Sequence, residues 1–308
     1  MSGAEAGAVP GGFGLSPNHR GALWMLAAGL GFTVNGALVK ALGNQGLDAY
    51  QIAFFRSAVA LFVVLPLLWR IGWRRLRSQH PWLHLARVVF GVGAMVCGFY
   101  ALTRLPLADV TALGFTTPLF ATVLAVIFLG EMVRWRRWTA TLIGFLGVVI
   151  MVRPGAGSFD PAALVALGMA LGIAIAVVLV KRLPPGESQI AMLFYFGIGS
   201  TLITAPPAFL VWQAPSGLQI LLLAGVGVLG LASQAMIIHA FRTGEASFVA
   251  PFDYSKLLAA GLIGFFVFAE VPDLWTLLGA AIIVGATLYI ARRESAVGRR
   301  PPAKPQSI

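Results

Sequence analysis

Charge is what this sequence has least of. Asp, Glu, Lys and Arg together make up 11% of its 308 residues, against 58% hydrophobic, and the mean hydropathy is +0.87. A soluble domain carries roughly a quarter charged residues, so this chain cannot cover itself for water and reads as an integral membrane protein. Cysteine is all but missing: Cys97 stands alone inside an apolar run, which excludes a disulfide framework and a thiolate metal cluster. His80 and His84 are four apart with no carboxylate or third ligand near them, so no metal is expected. There is no phosphate-binding loop, hence no ATP as energy source. There is also no H-E-x-x-H and no acid pair spaced to work with a His. Enzyme chemistry is therefore not expected, and cofactors are expected to be none.

What is present is apolar sequence, in ten runs near 21–42, 50–69, 82–103, 107–129, 137–153, 161–182, 189–212, 217–241, 245–268 and 273–291. Each is close to the roughly 20 residues that cross a bilayer as a helix. Short connections carry turn residues such as Gly43-Asn44 and Pro215-Ser216-Gly217. The predicted fold class is all-α, an integral membrane protein of ten transmembrane helices arranged as two inverted five-helix repeats. The repeats are expected at 19–154 and 155–293, between disordered cytoplasmic tails at 1–18 and 294–308. Five crossings per copy is an odd number, so the second copy must lie upside down relative to the first. Secondary transporters built this way bind substrate near the midplane, where the halves meet.

The net charge of +11 does not imply nucleic acid, because the basic residues sit in short loops between apolar runs. Lys40, Arg104 and Arg153 fall on one side of the membrane, and Arg56, Arg87 and Lys256 fall within spans. All the other lysines and arginines fall on the opposite side. Basic loops stay cytoplasmic, so both termini are expected there, in a bacterial inner membrane.

Shifting the chain by 139 residues lays the fourth span on the ninth without a gap. Ala101, Val110, Leu119, Ala121 and Glu131 then meet Ala240, Val249, Leu258, Ala260 and Glu270. The run Pro118-Leu119-Phe120 followed by Phe128-Leu129-Gly130-Glu131, and its partner Ala250-Pro251-Phe252-Asp253-Tyr254 closing at Phe268-Ala269-Glu270, resembles the EamA repeat of the drug/metabolite transporter superfamily. Phe54-Phe55-Arg56 also fits that pattern, and the resemblance covers about residues 20–292. It implies ten helices as inverted repeats around a central cavity, lined by the third, fourth, eighth and ninth spans and by helices from the repeat ends. It further implies export of metabolites, drugs or lipid-linked sugars, and is nearest to bacterial amino-acid exporters, the aromatic branch included.

An ionisable group inside a span costs at least about 2.5 kcal/mol at the bilayer centre, so each needs a reason. Lys256 lies roughly 16 Å past Glu245 along its helix, about halfway through a 30 Å core. Asp253 stands one turn earlier on the same face. The two form either a structural ion pair or a site in which Lys256 receives a substrate carboxylate. In the repeat register they face Thr117 and Gly114, so the charges break the symmetry. Asp253 reads as the only deep carboxylate, which leaves proton coupling and facilitated diffusion both open. Arg56 snorkels outward or locks the second span; Glu131 and Glu270 cap or gate at opposite faces; Pro118 and Pro251 break their helices for hinging or for packing. Asn35, Tyr100, Thr117, Gln234 and His239 are further binding candidates, each alternatively a helix-to-helix hydrogen bond. Phe115, Phe252 and Tyr254 could give aromatic walls. The expected function is alternating-access export of a small amphiphilic metabolite, an amino acid of aromatic or hydrophobic type. A drug exporter, a lipid-linked sugar flippase and, remotely, a membrane-embedded lipid enzyme are the alternatives. The partners expected are the substrate and the lipid bilayer; a monomer is compatible with this plan.

Overall fold

The protein is described here by a computed structural model covering residues 16–71, 80–131, 133, 135–154, 160–183 and 189–298. The described residues form helices and no strands. In chain order these are α1 (Pro17–Asn44), α2 (Ala49–Ile71), α3 (Pro81–Arg104), α4 (Leu107–Gly114), α5 (Thr117–Leu129), α6 (Trp135–Val152), α7 (Ala162–Arg182), α8 (Gln189–Leu210), α9 (Gly217–Thr243), α10 (Ala246–Val249), a 3₁₀ segment (Ala250–Tyr254), α11 (Ser255–Phe268) and α12 (Leu274–Gly298). Ten stretches among them are long and apolar enough to cross a membrane, with α4–α5 forming the fourth and Ala250–Phe268 the ninth. Because ten is even, both described ends lie on one face, called terminal below; the other face is called distal.

Helix ends depart from the apolar boundaries for local reasons. α1 starts at Pro17 rather than 21, because Ser16 caps it, accepting from the His19 N–H, and Pro17 needs no amide partner at the first position. α12 runs past Arg293 to Gly298, since a helix in progress gains a hydrogen bond with every added residue whether or not lipid surrounds it. The remainder of the two expected tails, 1–15 and 299–308, lies outside the described residues. At the distal end of the eighth span, Ser216 and Gln219 form a reciprocal capping box.

The packing obeys a two-fold operation. The first span packs on the eighth and the third on the sixth; the second packs on the seventh and the fifth on the tenth. Adding five to every span number, cyclically, turns the first contact into the second and maps each of the last two onto itself. Two halves inserted in opposite senses around an axis in the membrane plane give this pattern. In lipid, helices associate through close packing of small residues. On the α6–α12 seam, a Cβ built on Gly279 would lie 2.6 Å from the Gly147 carbonyl oxygen, so only glycine fits. Outward-facing apolar side chains such as Leu210 and Phe266 are left for the lipid to cover.

Candidate functional site

Both repeats break their fourth helix at the same place. In the first, α4 ends at Gly114 and α5 begins at Thr117, with Phe115 and Thr116 between them. In the second, the 3₁₀ segment gives way to α11 after Tyr254, the repeat equivalent of Phe115. Pro118 and Pro251 each stand early in the segment they occupy, where the missing N–H is tolerated. The carbonyls freed at the first break are satisfied locally: Thr116 Oγ1 donates to the Leu113 carbonyl at 2.6 Å and Thr117 Oγ1 to that of Gly114 at 2.8 Å. Broken helices at corresponding positions of two inverted halves are where such folds hold substrate.

The rings of Phe115 and Tyr254 stack, with centroids 4.7 Å apart and planes 25° apart. Residues that correspond between repeats and also touch each other must lie near the two-fold axis. Since that axis runs in the membrane plane, the stack marks the midplane. Beside it, Lys256 Nζ lies 2.7 Å from Asp253 Oδ2 and 5.1 Å from the Phe115 ring centroid. Asp253 Oδ1 is buried and takes no hydrogen bond, so the pair retains an acceptor that it does not use.

Phe115, Asp253 and Tyr254 of this cluster form the floor of a cavity of about 350 Å³, with Lys256 behind Asp253 and outside the lining; the volume is within the range that holds drug-sized ligands. Asp253, Tyr254, Phe115, Pro118 and Thr287 line its deep part; Ile237 and Phe241 of α9 form an apolar wall; Arg137 and Lys181 stand at its mouth. Both of those cations belong to the terminal ends of their helices, so the cavity opens on the terminal face. Arg137 is held by Thr122, whose Oγ1 accepts from its Nε at 3.1 Å. Sequence reasoning took Arg137 and Lys181 as orienting loop charges, and nothing in linear order indicated that they would meet.

The other candidates scatter. Gln234 is exposed and shares a helix face with Ile237 and Phe241, one turn deeper. His239 points to the opposite side of α9, edge-on to Trp24 with centroids 4.8 Å apart. Phe252 packs with Met25, Ala240 and Val249 behind the cavity wall. Asn35 is buried and donates to the Val226 carbonyl at 2.6 Å, tying the first span to the eighth. Tyr100 is 40% exposed near the distal end of α3, with the Arg104 guanidinium over its ring. Arg56 does not snorkel: its Nη1 donates to Met95 Sδ at 2.7 Å and its guanidinium lies over the Phe99 ring, joining α2 to α3. Glu131 and Glu270 pair with Lys181 and Lys40, at opposite ends of the molecule. Asp253 is not the only in-span acid with a buried oxygen: Asp109 Oδ1, one turn into α4, is also buried without a hydrogen bond. The sequence reading passed over Asp109 because it stands at a span end.

A solved crystal structure shares this fold with TM-score 0.55, at 21% identity, covering 87% of this chain and 98% of that one. Among proteins of known role, a riboflavin transporter of Vibrio cholerae is 38% identical over 91% of this chain and 96% of its own length. An S-adenosylmethionine uptake transporter of Rickettsia felis is 34% identical over 88% and 92%, and a pseudopaline exporter of Pseudomonas aeruginosa 32% identical over 89% and 96%. The EamA-like transporter family matches residues 19–153 and 160–292. The chain belongs to that family: it is a multi-pass membrane transporter of small molecules, and not an enzyme.

Proposed function

We propose that this transporter carries a zwitterionic, amphiphilic metabolite with a flat ring, and that Lys256 and Asp253 hold its charged ends. The observation that carries this reading is Asp253 at the floor of the cavity, with one carboxylate oxygen on an ammonium and the other buried and unsatisfied, beside a stacked aromatic pair. An aromatic amino acid has the matching parts: a carboxylate for Lys256, an ammonium for Asp253, and a ring for Phe115 and Tyr254. S-adenosylmethionine, named for one relative, offers the same set in a larger body. Riboflavin, named for another, offers the ring without the carboxylate.

Export is the direction this reading favours. If basic loops remain in the cytoplasm, the terminal face is cytoplasmic and the cavity stands open to that side for loading. Arg137 and Lys181 at its mouth draw in carboxylates.

Counterflow in proteoliposomes tests this, with radiolabelled phenylalanine, S-adenosylmethionine and riboflavin as probes. The zwitterions exchange, and Lys256→Gln or Asp253→Asn lowers exchange at least tenfold. The double variant K256Q/D253N decides between a site and a brace. It removes both charges together, so no unpaired ion is left in the membrane and folding survives. Exchange stays lost if the pair binds substrate and returns if the pair only braces α11. Undiminished exchange in the double variant overturns the proposal.

A further inference from the structure

Two of the ion pairs between the repeats are counterparts of each other, and only one of the two is shut; Arg153–Asp273 on the distal face also joins the repeats. On the distal face Lys40, near the end of α1, reaches Glu270 Oε1 at 2.7 Å, and the two side chains are 9% and 14% exposed. Lys40 Nζ also donates to the Leu105 carbonyl at 2.6 Å, and Glu270 Oε2 accepts from the Leu107 N–H at 2.8 Å. First-repeat helices α1, α3 and α4 are thereby fastened to the end of second-repeat helix α11. On the terminal face Lys181, at the end of α7, stands 3.4 Å from Glu131 Oε1, with side chains 55% and 39% exposed.

These four residues are repeat equivalents. The matched repeats start at 19 and 160 and end at 153 and 292. Lys40 therefore corresponds to Lys181 at the offset of the repeat starts, and Glu131 to Glu270 at the offset of the repeat ends. Each lysine closes the first span of its own repeat, and each glutamate follows the fourth span of its own. Each pair joins a lysine from one repeat to a glutamate from the other. The glutamates are presented alike: Gly130 and Ala269, just before them, both take left-handed φ, 64° and 56°.

We propose that Lys40–Glu270 and Lys181–Glu131 are twin latches that close by turns, and that the protein transports by exchanging which one is shut. The distal latch is closed in this structure, while the terminal latch is slack at the mouth of the open cavity. In the reciprocal state Glu131 takes up the N–H of Ala246, which stands where Leu107 stands in the first repeat, and draws in Lys181. Lys181 then donates to the Gly244 carbonyl, the counterpart of Leu105. The Lys40–Glu270 pair loosens at the same time and the distal side opens. This goes beyond the substrate reading and does not depend on what Lys256 and Asp253 hold.

A reporter cysteine at Ala121, on the cavity wall, in a Cys97→Ser background, reads the balance between the two states. Membrane-impermeant maleimide is applied to vesicles from the terminal face. K181Q removes the latch of the other state, so labelling rises at least twofold. K40Q or E270Q removes the latch of this one, so labelling falls at least twofold, because Ala121 then takes the place that its repeat counterpart Ala260 holds here, fully buried. The charge swap K181E/E131K returns labelling to the starting level. The proposal is overturned if K181Q leaves labelling unchanged, if K181Q and K40Q move it the same way, or if the swap behaves like K181Q alone. Lys181 is half exposed, so K181Q folds, and that arm decides the matter even where the buried pair tolerates no change.

Discussion

An ammonium at mid-membrane must be neutralised nearby, and Asp253 does this for Lys256 with one oxygen while its other oxygen is left bare. A pair that only braced a helix would satisfy both oxygens, since a buried lone acceptor costs about 1–3 kcal/mol. Outside the membrane, acids behave differently. Asp273 precedes α12 and accepts from the Thr276 N–H at 2.7 Å. That bond, with a smaller contribution from the Arg153 guanidinium paired to it, holds its carboxyl below the usual carboxylate range. A depressed folded value means that the stabilising contribution is present above the unfolded carboxylate value and is lost as pH falls through the folded one. Asp273→Asn therefore lowers the melting temperature by about 2 °C or less at neutral pH, because the pair is solvent-exposed. The difference between wild type and variant vanishes in strong acid. Thermal unfolding of the detergent-solubilised protein across pH measures both.

At the scale of the element, the repeat shows what a helix end needs. Gly130 ends α5 in a left-handed turn that glycine takes freely, and the N–H of Glu131 reaches back to the Ala125 carbonyl at 3.2 Å. Ala269 ends α11 in the same conformation, with the Glu270 N–H on the Gly264 carbonyl at 2.9 Å. A side chain there costs on the order of 1 kcal/mol. Ala269→Gly is therefore expected to raise the melting temperature by about 2–4 °C, and an unchanged or lower value counts against strain at that turn. The break in the fourth span was half legible from Pro118. Proline marked the segment, but the helix breaks just ahead of it, at Phe115 and Thr116, because proline is at ease in a first turn and disturbs only what precedes it.

Across the whole molecule, the two-fold operation makes one state of the transporter the other state turned over, and its four latch residues lie where that operation requires. The latches differ in exposure, and by that operation the difference belongs to the state and not to the pair: turning the molecule over buries Lys181–Glu131 and exposes Lys40–Glu270. Screening acts on exposed pairs far more than on buried ones, so raising salt weakens one pair in each state and leaves the balance where it was. Maleimide labelling at the Ala121 reporter therefore stays level as ionic strength rises to about 1 M. A marked rise or fall would show that the two pairs do not exchange places between states.

Ten apolar runs, five to a repeat, settle the fold, the inversion and the membrane environment on their own. Lipid leaves an uncovered apolar helix no other place, and an odd crossing number leaves the second copy no other orientation. The deep Lys256 and its partner one turn away were also open to reading, since a helix puts such neighbours on one face. Contacts between helices were not. Tyr100 and His239 correspond between repeats yet point away from the cavity, because correspondence fixes position along a helix and says nothing about which flank a neighbour occupies. Arg137 and Lys181 reached the cavity mouth, and Lys40 met Glu270, only through the packing of the fifth repeat helix against its inverted counterpart and of the first against the fourth. The same residue types in the same spans could have faced lipid or loop. The rotation of each helix about its own axis, which decides this, is set by the close fit of glycines such as Gly147 and Gly279 against their partners.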